Sequence, residues 1–315
     1  MGRIQWMKKA GNKTFLAEMH AYLARCDSSY PPDAVTLDIA GQRRVYDAMC
    51  ADFDVGRPEG VVVTDEPYGG VACRRYETGP SAQTVVYYHG GGFVVGSLDS
   101  HDSICAEFCA RTGLRVVSVD YPLAPENTYP ADFNAAWDAF VAIDAAFPGG
   151  VVLCGDSAGG NLAAAVSHKS RVSGPHPLGQ LLIYPGLGGD WSLPSYSEHA
   201  NAPQLTVQDM EFYMNVRPGG EPPQGDPHYA PLQDSDFSGL PPTVCITAEC
   251  DPLASDGGEY ARVIQAAGGQ AIWRNEPGLV HGYLRARIMS SRAAESFERM
   301  CHALVGLAAE RWPVV

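Results

Sequence analysis

The sequence predicts an α/β fold, a mostly parallel sheet covered by helices on both faces. Three observations carry this reading. From Thr84 onward, short apolar runs alternate with stretches of helical periodicity. Two of those runs lead straight into glycine-marked turns, at 89–92 and 155–160. A Pro- and Gly-rich stretch from Gly186 to Pro231 breaks the alternation, as an inserted lid would.

Taken in order, Thr14 to Leu23 sets Phe15, Leu16, Met19, Tyr22 and Leu23 at helical spacing before Pro31-Pro32 stops the helix. A second helix is expected over Val35 to Cys50. Val61 to Val63, Val71 to Tyr76 and Thr84 to Tyr88 read as strands separated by Gly and Pro. Further strands are predicted at Leu114–Val119, Val151–Cys154, Gln180–Tyr184, Thr243–Thr247 and Ala271–Arg274. Helices are predicted at Asn134–Phe147, Ala158–Ser170, Asp256–Ala267 and Ser291–Leu307, and Thr206–Val216 inside the insertion has helical character.

Composition narrows the function. The chain has 315 residues, enough for a sizeable core, and 36 acidic against 22 basic side chains leave a net charge of −14. Such a surface repels phosphate backbones and anionic lipids, so neither nucleic acid nor membrane is an expected partner. No signal-peptide pattern or spanning apolar stretch is present, and the nine cysteines form no CxxC pair. Reduced, buried thiols in a cytoplasmic protein are expected, with no metal and no cofactor. Nothing in the residues specifies or forbids a homo-oligomer.

The chemistry lies in the two turns. Gly155-Asp156-Ser157-Ala158-Gly159 follows a buried strand and opens a helix, the G-x-S-x-G context that lifts a serine hydroxyl above the strand ends. Chance supplies that pattern in roughly a quarter of chains this rich in glycine, so its strand–turn–helix setting matters more than its spelling. His89-Gly90-Gly91-Gly92 is expected by chance in only about one such chain in a hundred, and its free N–H groups suit a developing oxyanion. Neither turn spells a phosphate-binding loop. A serine needs a base held by an acid. His281, after the last strand, falls at the same sheet edge as Ser157, whereas His168 lies too far along its helix. His20 and His302 fall on surface helices, and His176, His199 and His228 in Pro-rich loops. For the acid, Asp251 begins just beyond a strand, with Glu249 its competitor two residues earlier.

With these motifs in hand, the chain resembles the hormone-sensitive-lipase-like, bacterial family IV esterases of the α/β-hydrolase superfamily. The matching residues are His89 to Gly92, Asp120 to Glu126, Gly155 to Gly160, Asp251-Pro252-Leu253 and His281-Gly282-Tyr283. The resemblance implies hydrolysis of carboxylic esters, with Ser157, Asp251 and His281 as the triad. It also implies an oxyanion hole of the Gly91, Gly92 and Ala158 amides. It further implies a helical cap, built from the N-terminal segment 1–55 and the 186–231 insertion, over a core that spans 56–315. Pro122 stands where many relatives carry a basic residue, which removes a local salt bridge. Phe93, Tyr184, Phe212 and Met214 are the expected substrate-binding residues, with Trp6, Trp191 and Tyr213 further candidates in the cap. The polar insertion and crowded nucleophile predict a small ester substrate with a short acyl chain, acetyl to about hexanoyl.

Overall fold

The computed structural model describes residues 13–29, 31 and 34–312; Trp6 lies outside them. Its sheet has eight strands: β1 (Val62–Tyr68), β2 (Val71–Glu77), β3 (Thr84–Tyr88), β4 (Arg115–Val119), β5 (Val151–Asp156), β6 (Gly179–Ile183), β7 (Thr243–Cys250) and β8 (Ala271–Val280). They pair in the order β1-β2-β4-β3-β5-β6-β7-β8. β1, β2 and β4 pair antiparallel, and every other pair is parallel. All residues of β3, β5 and β6 are buried, which is why they read as unbroken apolar runs.

Successive side chains of a strand serve opposite faces. Val85 and Tyr87 join a core with helices α1 (Lys13–Ser29), α2 (Ile39–Asp52), α3 (Asp102–Thr112) and, later in the chain, Ser291–Ala308. Val86 and Tyr88 join the other core, beneath α4 (Ala131–Ala146), α5 (Ala158–Ser170) and the helix Ala254–Ala266. The interrupting stretch holds α6 (Pro194–Glu198), which its polar sequence does not announce, and α7 (Val207–Val216). A reciprocal cap between Thr206 and Asp209 starts α7. The last two helices are then α8 (Ala254–Ala266) and α9 (Ser291–Ala308).

The largest boundary difference is at β8, which continues past Arg274 to Val280. Pro277 and Gly278 hide it, because they form a bulge. Glu276 pairs with Ala248 and Val280 with Cys250, so four steps on β8 face two on β7. All nine cysteines are buried and free. Among the described residues no helix is long and apolar enough to cross a membrane.

Candidate active site

Four strand ends meet at one edge of the sheet, where open α/β sheets place their ligands. β5 delivers Ser157, β3 delivers His89 to Gly92, β7 delivers Asp251, and β8 delivers His281.

Ser157 has φ +54° and ψ −117°, a conformation few side-chain-bearing residues adopt. The turn holds because its N–H donates to the Ile183 carbonyl at 2.8 Å. Its glycines permit close approach: a Cβ on Gly155 would come within 2.8 Å of the Tyr88 carbonyl, and one on Gly159 within 2.7 Å of the His89 carbonyl. His281 Nε2 lies 2.9 Å from Ser157 Oγ, and its Nδ1 lies 2.7 Å from Asp251 Oδ2. Asp251 is fully buried, and its other oxygen accepts the Leu253 N–H at 2.9 Å. Asp251, His281 and Ser157 are thus brought into one hydrogen-bonded line. Glu249 is spent elsewhere. Its carboxylate accepts the Gly278 N–H at 2.7 Å, a donor that the β8 bulge frees from the ladder.

The turn after β3 is tied to the serine turn through Asp156. That carboxylate accepts from the Tyr87 hydroxyl at 2.7 Å and the Gly90 N–H at 2.9 Å. Burial alone would raise its pKa; His101, Tyr87 and Arg285 together pull it below the usual carboxylate range. His89 is fully buried, stacked on Tyr121 with ring centroids 4.4 Å apart, and bonded through Nδ1 to the Gly90 carbonyl at 2.9 Å. Burial, reinforced by His101, pushes its pKa down to about 3, so it is neutral and shapes the loop. No described residue accepts the N–H of Gly91 or Gly92. The Ala158 N–H, at the first position of α5, has no intrahelical partner either.

These groups face a cavity of about 540 Å³, within the usual range for small-molecule sites. From α7, Met210, Tyr213, Met214 and, just past its end, Arg217 line it, at spacings of three, four and seven residues. Phe212 falls off that stripe and does not line the cavity, a correction to its expected substrate-binding position. Phe93, Tyr184 and Met214 do line it, as do Trp191 and Tyr213. The Tyr213 ring sits where a Cβ on Gly92 would be. Other wall residues had no sequence motif to announce them: Tyr22, Tyr46 and Met49 from α1 and α2, and the buried Arg217 and Arg285. The turn containing Pro122 has an ion pair from elsewhere. Arg43 of α2 forks onto Glu126 at 3.0 and 2.7 Å and also reaches the Val94 and Ala124 carbonyls.

The remaining histidines lie elsewhere. His168 is buried with Asp234 (2.5 Å) and the Tyr260 hydroxyl (2.9 Å) as partners. His228 stacks on Phe133, and His20 and His302 are exposed.

A strand–serine turn–helix and a glycine loop over a mostly parallel sheet define an α/β-hydrolase architecture. The family model described as alpha/beta hydrolase fold matches residues 85–285. Carboxylesterase NlhH of Mycobacterium tuberculosis is 41% identical over 232 residues, 70% of this chain and 72% of that one. Ethyl acetate hydrolase of Pseudomonas putida is 32% identical over 231 residues, with the same two coverages. The structure of ester-hydrolase EH1AB1 from the Lake Arreo metagenome, complexed with a bipyridine phosphonate derivative, superposes with a TM-score of 0.83 at 30% identity. That alignment covers 93% of this chain and 98% of the other. The chain belongs to the hormone-sensitive-lipase-like family of α/β-hydrolase enzymes.

Proposed function

We propose that this protein is a serine carboxylesterase that hydrolyses short-chain esters through an acyl-enzyme. One observation carries the reading: the unbroken hydrogen-bonded line from Asp251 through His281 to Ser157, beside amides whose N–H no described residue accepts. Ser157 Oγ attacks the ester carbonyl carbon while His281 Nε2 takes its proton. Charge gathers on the carbonyl oxygen, where the N–H groups of Gly91, Gly92 and Ala158 stabilise it. Asp251 fixes the His281 tautomer and supports the imidazolium. Collapse breaks the ester C–O bond, and His281 returns the proton to the leaving alcohol. Water, deprotonated by the same nitrogen, attacks the acyl carbon; the bond from that carbon to Ser157 Oγ breaks, His281 gives its proton to Oγ, and the acid leaves.

Helices α1 and α2, the described part of segment 1–55, and segment 186–231 act as a cap over this site, and Phe93, Tyr184 and Met214 contact the substrate. The aromatic and methionine wall limits the acyl group to acetyl through about hexanoyl, which fits the name of the Pseudomonas relative. Nine buried thiols suit a reducing compartment, and we place the protein in the cytoplasm. A p-nitrophenyl ester series from acetate to dodecanoate tests the function: kcat/KM should peak by hexanoate and then fall steeply. No turnover of any member, or no fluorophosphonate adduct on Ser157, would remove the reading. A rate rising through dodecanoate would remove the short-chain limit alone.

A further inference from the structure

Three arginines are buried among the described residues. Arg217 is paired with Asp132 at 2.8 Å and Arg287 with Glu107 at 2.7 Å. Arg285 has no carboxylate within ion-pair distance among the described residues, although it is 5% exposed and permanently charged. Its protein partners are neutral: Nη2 donates to the Tyr46 hydroxyl at 3.0 Å and contacts Cys50 Sγ at 3.1 Å. Nε has none, and Nη1 meets no acceptor among the described residues. A buried charge with no carboxylate in contact is costly unless a partner closes on it. Arg285 lines the same cavity as Ser157 and His281, four residues beyond His281 in the turn Tyr283–Ile288. Neither aspartate of that cavity hydrogen-bonds it, although its charge and that of the buried Asp156 support each other at longer range. Asp156 is held by Tyr87, Gly90 and Tyr184, and Asp256 by Tyr196, Leu187 and Gly189.

Resting on the esterase reading above, we infer that Arg285 receives a carboxylate carried by the substrate, so that the preferred esters are anionic, with an acid group on the acyl or the alcohol side. A carboxylate there would accept the Nη1–H and give Arg285 the contact ion pair that no described residue supplies, while Tyr22 and Tyr46 pack around the segment joining it to the ester. Ester cleavage proceeds unchanged and the acid group takes no part in it.

The experiment compares matched pairs. Monoethyl succinate against ethyl levulinate places a carboxylate or a neutral acetyl on the acyl side, and 4-acetoxybenzoate against 4-acetoxyacetophenone does the same on the alcohol side. Each kcat/KM is divided by the rate of alkaline hydrolysis. In the wild type at least one pair should favour the carboxylate by about tenfold or more, and Arg285→Gln should lower that ratio by about 10- to 100-fold. Arg285→Lys should keep part of it. A purely structural arginine would move both members of a pair together. An unchanged ratio in Arg285→Gln, or a wild type that favours the neutral member of both pairs, overturns the inference while leaving the esterase intact. No turnover of any of the four esters by an enzyme that cleaves p-nitrophenyl acetate overturns the inference alone, whereas no turnover of p-nitrophenyl acetate either removes the esterase reading and this inference with it.

Discussion

Around Ser157 the protein has closed off alternatives, whereas on the α7 side of the same cavity it has left them open. Beneath the serine, Asp156 ties two loops together, the elbow glycines admit backbone where no Cβ fits, and the Asp251 carboxylate has both oxygens engaged. Above it, Met210, Tyr213 and Met214 present adaptable surface, and Met214 is 39% exposed. The difference teaches that the floor is built for one geometry and the roof for a range of shapes. Changes to the floor should therefore reduce kcat steeply, and changes to the roof should redistribute preference among substrates.

The largest effect should come from Ser157→Ala, which should fold normally and lose about 10⁴-fold or more in kcat. A folded, active variant would break the comparison at its centre. Asp251→Asn should lose about 10³-fold or more, while Glu249→Gln should stay within about tenfold, since that carboxylate only satisfies a bulge amide. The reverse ranking in steady-state assays would make Glu249 the functional acid. Gly91→Ala is next. At φ +131° its new methyl would press on the Val95 carbonyl, so kcat should fall about 10²-fold while KM moves little.

The floor's rigidity also has a pH signature. His89 is neutral when folded, with a pKa of about 3, and takes up its proton near 6.5 when unfolded. The unfolded state binds more protons below pH 6.5, so stability is full above that value and is lost as pH falls toward 3. From this group alone, about 2 kcal/mol should disappear between pH 8 and pH 5. Urea midpoints for wild type and His89→Asn would show it; equal pH slopes would mean His89 takes up its proton as readily in the fold as in the unfolded chain. Smallest should be Met214→Ala, with kcat/KM shifting a few-fold and most for the longest acyl chains that are accepted. A uniform loss across the chain-length series would place Met214 outside the substrate's path.

The same contrast explains what the residues revealed in advance. The floor was legible because its requirements are local: a strand, a turn and a helix within ten residues announce Ser157, and a glycine run announces the loop after β3. Its acid reads as Asp251 with Glu249 a close competitor, because what occupies Glu249 is the β8 bulge, and Pro277-Gly278 resembles a loop until β7 pairs around it. The roof was legible as a helix but not as a face. Phe212 and Tyr213 are adjacent in sequence, and only the direction from which the cavity approaches α7 separates them. Arg217 and Arg285 escaped altogether, since an arginine in a sequence looks solvated until its surroundings close over it.

Tyr22 donates a hydrogen bond at 2.9 Å to the carbonyl of Gly282, across 260 residues of chain. Translation therefore delivers one wall of the cavity long before the surface it docks against exists. Helices α1 and α2 must wait, with Tyr22 and Met49 unburied, while the sheet is made strand by strand. Closing so long a loop comes late among folding events, because its entropy is recovered only when the rest is in place. A nascent chain would hold a sheet before it holds a pocket, and its apolar helix faces would be the surface a chaperone meets.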